Sequence, residues 1–180
     1  MKRAALLNCT GLGAERFKLL QRDDLLPFFA SGDDRVSRWQ DYTLDDAFRL
    51  RLMMDLIDAE SPEAYPTGLG PSFSRRVVQS SLAVLPLTVA DAAAQSPSIY
   101  IAYAAFEGLL NDDTPDRFPC HYCGPLADLD GWIAGIIAKD GDGYRNFACK
   151  RLFMANATRA ANFVLERAQE LGLPEANAWA

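Results

Sequence analysis

The stretch Thr10-Gly11-Leu12-Gly13-Ala14-Glu15-Arg16-Phe17-Lys18-Leu19-Leu20-Gln21-Arg22 decides how the first part of this 180-residue chain folds. Glycine tolerates a left-handed backbone, so Gly11 predicts a turn between two helices, over residues 3–8 and 13–23. Two large apolar side chains share one face of the second helix, Phe17 and Leu20. The opposite face is polar, and we expect it to be exposed.

Further elements are predicted after this pair of helices. Leu25-Leu26-Pro27 predicts a buried corner or the start of a strand, since proline cannot continue a helix. Residues 30–39 contain Gly, Asp and Ser and suit the turn of a hairpin, or wing. Thr43 and Asp46 have the spacing of a capping box and open a third helix, in which apolar residues recur at helical spacing. These elements together predict a winged helix-turn-helix, a fold that places its second helix in the major groove of DNA.

Positive charge is concentrated in the same segment. Residues 1–22 hold five basic side chains and one acidic side chain, whereas the whole chain carries a net charge of −6. Contacts to phosphate need lysine and arginine, so the net charge argues against unspecific binding of nucleic acid by the whole surface. The distribution predicts that one face, formed by the first segment, meets DNA.

Residues 10–27 resemble, without a gap, the helix-turn-helix of the MerR family of transcriptional regulators, including the Leu-Leu-Pro that closes the motif. The start of the next helix, Tyr42 to Asp46, also resembles that family, and the resemblance covers about residues 2–58. It implies a winged helix-turn-helix with a recognition helix and a basic wing. The DNA contacts that we predict are Arg3, Arg16, Lys18, Arg22, Arg35, Arg38 and Tyr42.

Four positions depart from the pattern of the family. The chain has Glu15 and Leu19-Leu20 where family members have an arginine and paired tyrosines, so we expect fewer phosphate contacts. Asp24 replaces a glycine and must adopt the backbone conformation that the glycine served, which Asp tolerates better than most residues. These departures and the acidic net charge leave an alternative open, namely a phage-related or assembly protein that uses a degenerate winged helix for protein-protein contacts.

The chain is predicted to divide after the third helix. Residues 60–72 hold three prolines and two glycines, a composition typical of a linker. We therefore predict a winged helix-turn-helix DNA-binding domain over residues 1–60, a linker over 61–72 and a small α+β domain for dimerisation or regulation over 73–180.

The second domain is predicted from periodicity and turn signals. We expect a helix over residues 73–85 that resumes over 89–94. The β-prone apolar run over residues 98–106 favours a buried strand, and its alanines leave a buried helix open as the alternative. An antiparallel hairpin is predicted from residues 132–139 and 144–149, which flank Asp140-Gly141-Asp142-Gly143. A C-terminal helix should begin near Asn156 and offers one candidate surface for a homodimer.

Few residues predict metal or catalytic chemistry. Cys120 and Cys123 have the spacing of half a zinc site, but a structural zinc needs four ligands and the sequence has no second such pair. His121 is the only histidine, and no nucleophile elbow, phosphate loop or dinucleotide fingerprint is present. We expect no metal, no cofactor and no enzymatic activity, with Cys120 and Cys123 as the only metal candidates.

The partners and location follow from these predictions. No apolar run reaches membrane-spanning length and no secretory signal begins the chain, so we expect a cytoplasmic protein that does not enter membranes. The predicted partner is double-stranded DNA. A homodimer is expected because one small head makes few phosphate contacts, and the second domain remains a candidate for binding a protein partner or an effector.

Overall fold

The computed structural model describes residues 1–28, 41–57, 69–110 and 112–177. The described chain is a mixed α+β protein with a three-stranded antiparallel sheet. None of the helices in these ranges combines the length and apolar character needed to cross a lipid bilayer. In chain order the elements are α1 (Arg3–Thr10), α2 (Ala14–Arg22), α3 (Leu44–Ile57), α4 (Pro71–Val84), α5 (Val89–Ala93), β1 (Ile99–Leu109), β2 (Pro115–Pro125), α6 (Leu129–Asp140), β3 (Arg145–Asn156), α7 (Ala157–Glu170) and α8 (Pro174–Asn177).

The predicted pair of helices at the amino-terminal end is confirmed. Gly11 ends α1 with φ 72°, in the left-handed region that glycine adopts without strain. Asp24 follows α2 with φ 52°, which confirms that it takes a glycine-like conformation. The amide of Leu25 donates to the carbonyl of Leu20 at 2.8 Å, so α2 ends in a Schellman-type turn.

The third predicted helix, α3, is also confirmed, together with its capping box. The amide of Asp46 donates to Thr43 Oγ1 at 3.0 Å, and the amide of Thr43 donates to Asp46 Oδ2 at 2.8 Å. These reciprocal bonds satisfy two backbone donors that the first turn leaves without helical partners. The predicted wing over residues 30–39 lies outside the described residues, so the winged form of the fold remains a prediction.

The sheet has the strand order β2-β1-β3, with β1 antiparallel to both neighbours. Tyr103 of β1 lies beside His121 of β2 and Phe153 of β3, and this face of the sheet packs on the helices that precede it. The opposite face carries Ala102, Ala104 and Phe106 of β1, and α6 crosses it. The sheet is therefore a middle layer between a helical body and a single helix.

The predicted hairpin is wrong in its placement. Residues 132–139 belong to α6 and not to a strand, and the antiparallel hairpin is formed by β1 and β2. The predicted strand over residues 98–106 is confirmed as β1, and residues 144–149 fall almost entirely in β3. The strand β2 was not predicted, because three of its residues are prolines. Proline is tolerated in β2 because it is an edge strand, whose outer amides need no partner in the sheet.

One large hydrophobic cluster contains side chains from both sides of the predicted linker, from Leu6 to Ala176. Helix α7 lies at its centre and packs against α1, α3 and α5. The apolar face of α7 is therefore buried within the chain, so this face is not a candidate dimer surface. The domain division itself remains a prediction, but the parts on the two sides of the predicted linker share this core.

Candidate nucleic-acid interface

Helix α2, which the sequence predicts to meet DNA, packs its inner face against the hydrophobic core. Phe17 and Leu20 of α2 are 0% and 4% exposed and belong to the main hydrophobic cluster. Leu12, in the turn before α2, is also buried. Burying these two large apolar side chains stabilises the packing of this short helix against the core by about 3–6 kcal/mol. The outer face of α2 is consequently presented as a fixed surface.

The two exposed cations on the outer face of α2 are each paired with a carboxylate on α2 or directly after it. Lys18 Nζ lies 2.6 Å from Glu15 Oε1, and Arg22 Nε lies 2.8 Å from Asp23 Oδ1. All four side chains are exposed to solvent. Hydrogen bonding to Lys18 lowers the pKa of Glu15, and hydrogen bonding to Arg22 lowers the pKa of Asp23. Both carboxylates are therefore ionised at neutral pH, and they offset much of the positive charge that the sequence predicts here.

Two of the predicted contact residues are less accessible than expected. Arg16 is half-buried, as is Arg3, whose guanidinium carbon lies 5.1 Å from the centre of the Phe17 ring. A cation at this distance from an aromatic face is attracted to the ring. Arg3 therefore links α1 to α2 and presents only part of its side chain at the surface.

Tyr42 is placed in the core and not at the surface. Its side chain is 4% exposed, and its ring packs edge-on against the rings of Phe17 and Phe28 at 6.1 and 5.8 Å. Burial raises the pKa of its hydroxyl. The predicted DNA contact by Tyr42 is not compatible with this position, because aromatic rings in this segment gain more from packing than from exposure. Tyr42 instead packs against the buried face of α2.

The two predicted wing residues, Arg35 and Arg38, lie outside the described part of the chain. The described candidates therefore fall into two groups around α2. Exposed cations on its outer face are Lys18 and Arg22, and half-buried cations at its edge are Arg3 and Arg16.

Sequence reasoning missed the contribution of α4 to this surface. Arg75 Nη1 donates to the carbonyl of Asp24 at 2.6 Å, and Gln79 Nε2 donates to the carbonyl of Pro27 at 3.2 Å. These side chains are one helical turn apart, so both reach the segment that follows α2. The i, i+4 spacing of two long polar residues was the only signal in the sequence, and it does not identify their partners.

A groove of about 590 Å³ borders the amino-terminal end of α2. Its walls include Gly13 and Ala14 on one side and the end of α7 on the other. Arg167 Nη1 and Glu170 Oε2 form an ion pair there at 2.8 Å. This wall is close to neutral, so it adds neither a basic patch nor an unpaired acidic one to the α2 surface.

The two metal-candidate cysteines lie on β2 and do not converge. Residues three apart on a strand point to opposite faces of the sheet, so Cys120 and Cys123 cannot bind one ion with their side chains in this strand. Burial raises the pKa of Cys120, and it raises the pKa of Cys123 to about 11, which disfavours the thiolate that a metal would need. Within the ranges that the structure describes, no three His, Cys, Asp or Glu side chains are grouped as metal ligands would be.

Comparison of the chain with protein-family models, with curated proteins and with solved structures identified no match.

Proposed function

We propose that this protein binds double-stranded DNA in a sequence-specific manner and regulates transcription, with α2 as the recognition helix. The observation that carries the proposal is the presentation of α2: its inner face is buried, its ends are fixed by turns at Gly11 and Asp24, and its outer face carries Lys18 and Arg22. A helix fixed in this way can enter a major groove without rearrangement of the chain behind it.

The dimensions of α2 suit this role. Nine residues form a helix about 14 Å long, and the major groove is about 12 Å wide. In the proposed complex Lys18 and Arg22 exchange their carboxylate partners for phosphate or base-edge acceptors. Arg16 contributes from the edge of the helix, and the wing residues Arg35 and Arg38 follow from the MerR resemblance.

The proposal assigns binding and not catalysis to this chain. A protein with this function would be in the cytoplasm, where the DNA is. It would need no metal or cofactor to contact the DNA. A second copy and an effector or protein partner remain part of the proposal, because a single head makes few phosphate contacts.

The test measures binding of a labelled duplex by fluorescence anisotropy, using a site selected from random DNA. We expect the double variant K18A/R22A to weaken binding at least about tenfold and to reduce the slope of log affinity against log salt concentration by about two. Both side chains form only exposed ion pairs, which contribute little to stability, so the melting temperature should change little.

The matched control is K150A/R159A, which removes two exposed cations from β3 and α7. The DNA proposal requires that this control bind almost as tightly as the unmodified protein. An equal loss in the two variants would mean that only total charge matters. No loss in K18A/R22A would remove α2 from the interface.

A second candidate function is protein-protein contact through the same helix. It is favoured by Leu19, which is 50% exposed in the middle of the outer face of α2. The ion pairs of Lys18 and Arg22 lie on either side of it. An exposed leucine surrounded by neutralised charges is suited to an apolar partner surface. This alternative predicts that the protein selects no DNA sequence. It also predicts that K18A/R22A binds the protein partner as well as the unmodified protein does.

A further inference from the structure

Exposed apolar side chains are concentrated on the sheet face that α6 crosses. Of the nine large apolar side chains that are exposed in the described ranges, three lie on this sheet face, Phe118, Leu152 and Met154, and two lie in α6 or just before it, Ile137 and Leu126. Cross-strand neighbours point to the same face, and Phe118, Leu152 and Met154 lie opposite the buried residues of β1 beneath α6. An exposed apolar layer of this kind marks an interaction surface.

Helix α6 itself is apolar on both sides, although it buries only one face. Trp132 packs against Tyr122 and Phe106 at ring distances of 5.2 and 6.3 Å, and Leu129 is buried beside them. The outer face is formed by small residues at helical spacing, all exposed: Gly131, Ala134, Gly135 and Ala138.

The glycines on this outer face have no explanation within the described chain. A Cβ added at Gly131 or Gly135 would have no neighbour within 4 Å, and neither residue has a positive φ. Glycine inside a helix costs about 0.5–1 kcal/mol relative to alanine. A flat, small-residue surface allows another helix to approach closely, which would offset that cost.

One flank of α6 carries charges of opposite sign at its two ends, while Asp130 and Asp140 lie on other sides of the helix. Asp128, at the amino-terminal end, and Lys139, near the carboxyl-terminal end, are exposed, and neither forms an ion pair within the part of the chain that the structure describes. They are eleven residues apart, which is about three helical turns, so they lie on the same side of the helix.

We propose that this face binds a second copy of the chain, with the two α6 helices packed antiparallel across a two-fold axis. An antiparallel arrangement brings Asp128 of each copy opposite Lys139 of the other, because a two-fold axis pairs the same flank of both helices in reverse order. The small residues then meet at the centre of the contact. The charge pattern is complementary to itself, which favours a second copy over an unrelated partner.

The inference does not depend on DNA binding. Lys18 and Arg22 lie on α2, and substituting them leaves the α6 surface unchanged. A dimer through α6 would therefore persist even if the chain proved not to bind DNA, and failure of the dimer would leave DNA binding by a monomer intact.

The experiment measures the mass of the full chain by sedimentation velocity over a range of concentrations. We expect the unmodified protein to have twice the monomer mass. Each single charge reversal, D128K and K139D, should raise the dimer dissociation constant by about tenfold, because the symmetry turns two attractive pairs into two repulsive ones. The double reversal D128K/K139D should restore association.

Two controls separate dimer loss from damage to the fold. Asp128 makes no side-chain capping bond to α6, so D128K removes no cap, and circular dichroism of each variant checks folding directly. E166K makes the same charge change at an exposed position of α7 and should leave the mass unchanged. Any of three results would overturn the proposal. The unmodified protein could be a monomer at every concentration, the single reversals could have no effect, or the double reversal could fail to restore the dimer.

Discussion

Asp24 holds the turn after α2 in an uncommon backbone conformation. Its φ of 52° lies in the left-handed region, where a Cβ atom crowds the backbone. Glycine has no Cβ and adopts this region without strain. Its carbonyl also accepts the hydrogen bond from Arg75 that joins α2 to α4. The backbone of Asp24 therefore contributes to the fold independently of its carboxylate, which lies 3.9 Å from Arg75 Nη1.

Substitution of Asp24 isolates this conformational effect. D24G and D24A both remove the carboxylate, but only glycine adopts φ 52° without strain, so D24G should be more stable than D24A by about 1 kcal/mol. Urea unfolding followed by circular dichroism measures the difference. At Glu166, exposed within α7, the order should reverse, with alanine more stable than glycine. The same order at both positions would contradict the account of this turn.

His121 is the only histidine in the sequence, and we expect it to make stability depend on pH near neutrality. Burial, with a smaller contribution from the positive charge of Arg76, lowers its pKa, and Nδ1 is buried with no hydrogen-bond partner in the described chain. The unfolded chain therefore binds the proton first as pH falls below about 6.5. Stability should decrease on acidification from that point until the pH passes below the pKa of the folded state.

The comparison with H121Q tests this dependence. Between about pH 7.5 and about pH 5.5 the unmodified protein should lose more stability than H121Q, because glutamine has no proton to bind. NMR titration of the single imidazole should give a pKa below the ordinary value, and R76Q should raise it. A normal imidazole pKa, or parallel pH profiles of the two proteins, would show that the ring is solvated.

At the scale of elements, α2 combines a cationic surface with its own competing carboxylates. Glu15 is ionised and lies 2.6 Å from Lys18, on the face that would meet phosphate. We expect E15Q to strengthen DNA binding by about three- to tenfold, because it removes a repulsive charge and releases Lys18 without changing shape. E166Q makes the same charge change on α7 and should have almost no effect in the same anisotropy assay. Weaker binding by E15Q would mean that Glu15 itself accepts a hydrogen bond from a base.

Elements with a clear period and a defined cap could be predicted from the sequence. Helices α1, α2, α3, α4 and α7 follow from such signals, and strand β1 follows from a β-prone apolar run. Helix α6 could not, because glycine and alanine on its outer face and isoleucine on its inner face leave no 3.6-residue contrast. Strand β2 could not, because prolines argue against a strand unless the strand is known to be at an edge.

The candidate site was predicted less completely than the fold. The position of α2 and the exposure of Lys18 and Arg22 follow from helical periodicity. The ion pair of Lys18 with Glu15 has the i, i+3 spacing of helix neighbours and could also be predicted. The ion pair of Arg22 could not, because Asp23 lies outside the helix and its side-chain direction depends on the turn at Asp24. Tyr42 was placed at the surface by resemblance, but its ring packs on Phe17 and Phe28 in the core. The supporting bonds from α4 are long-range, and local patterns carry no information about them.

At the scale of the whole molecule, residues on the two sides of the predicted linker share one core. Arg51 of α3 is buried and pairs with Asp55 at 2.7 Å, and its guanidinium lies 4.3 Å from the Phe163 ring of α7. The contact between the Arg51 guanidinium and the Phe163 ring therefore adds to the apolar packing between the helices before and after residues 58–68. This arrangement favours unfolding as one unit.

Cooperative unfolding can be measured directly. We expect urea unfolding to give a single transition, with coincident midpoints for far-ultraviolet circular dichroism and for NMR signals of α3 and β1. Two independent domains would instead give separate midpoints for α3 and β1. A separation that persists when the protein is diluted would contradict a shared core.

Selection of binding sites from random duplex DNA with the purified full chain, at two salt concentrations, tests the central claim most directly. The account predicts an enriched motif, with weaker binding at the higher salt concentration because phosphate contacts release counterions. Two-fold symmetry in that motif would agree with a dimer. Absence of any enriched sequence even at low salt would contradict the assignment of α2 as a DNA recognition helix.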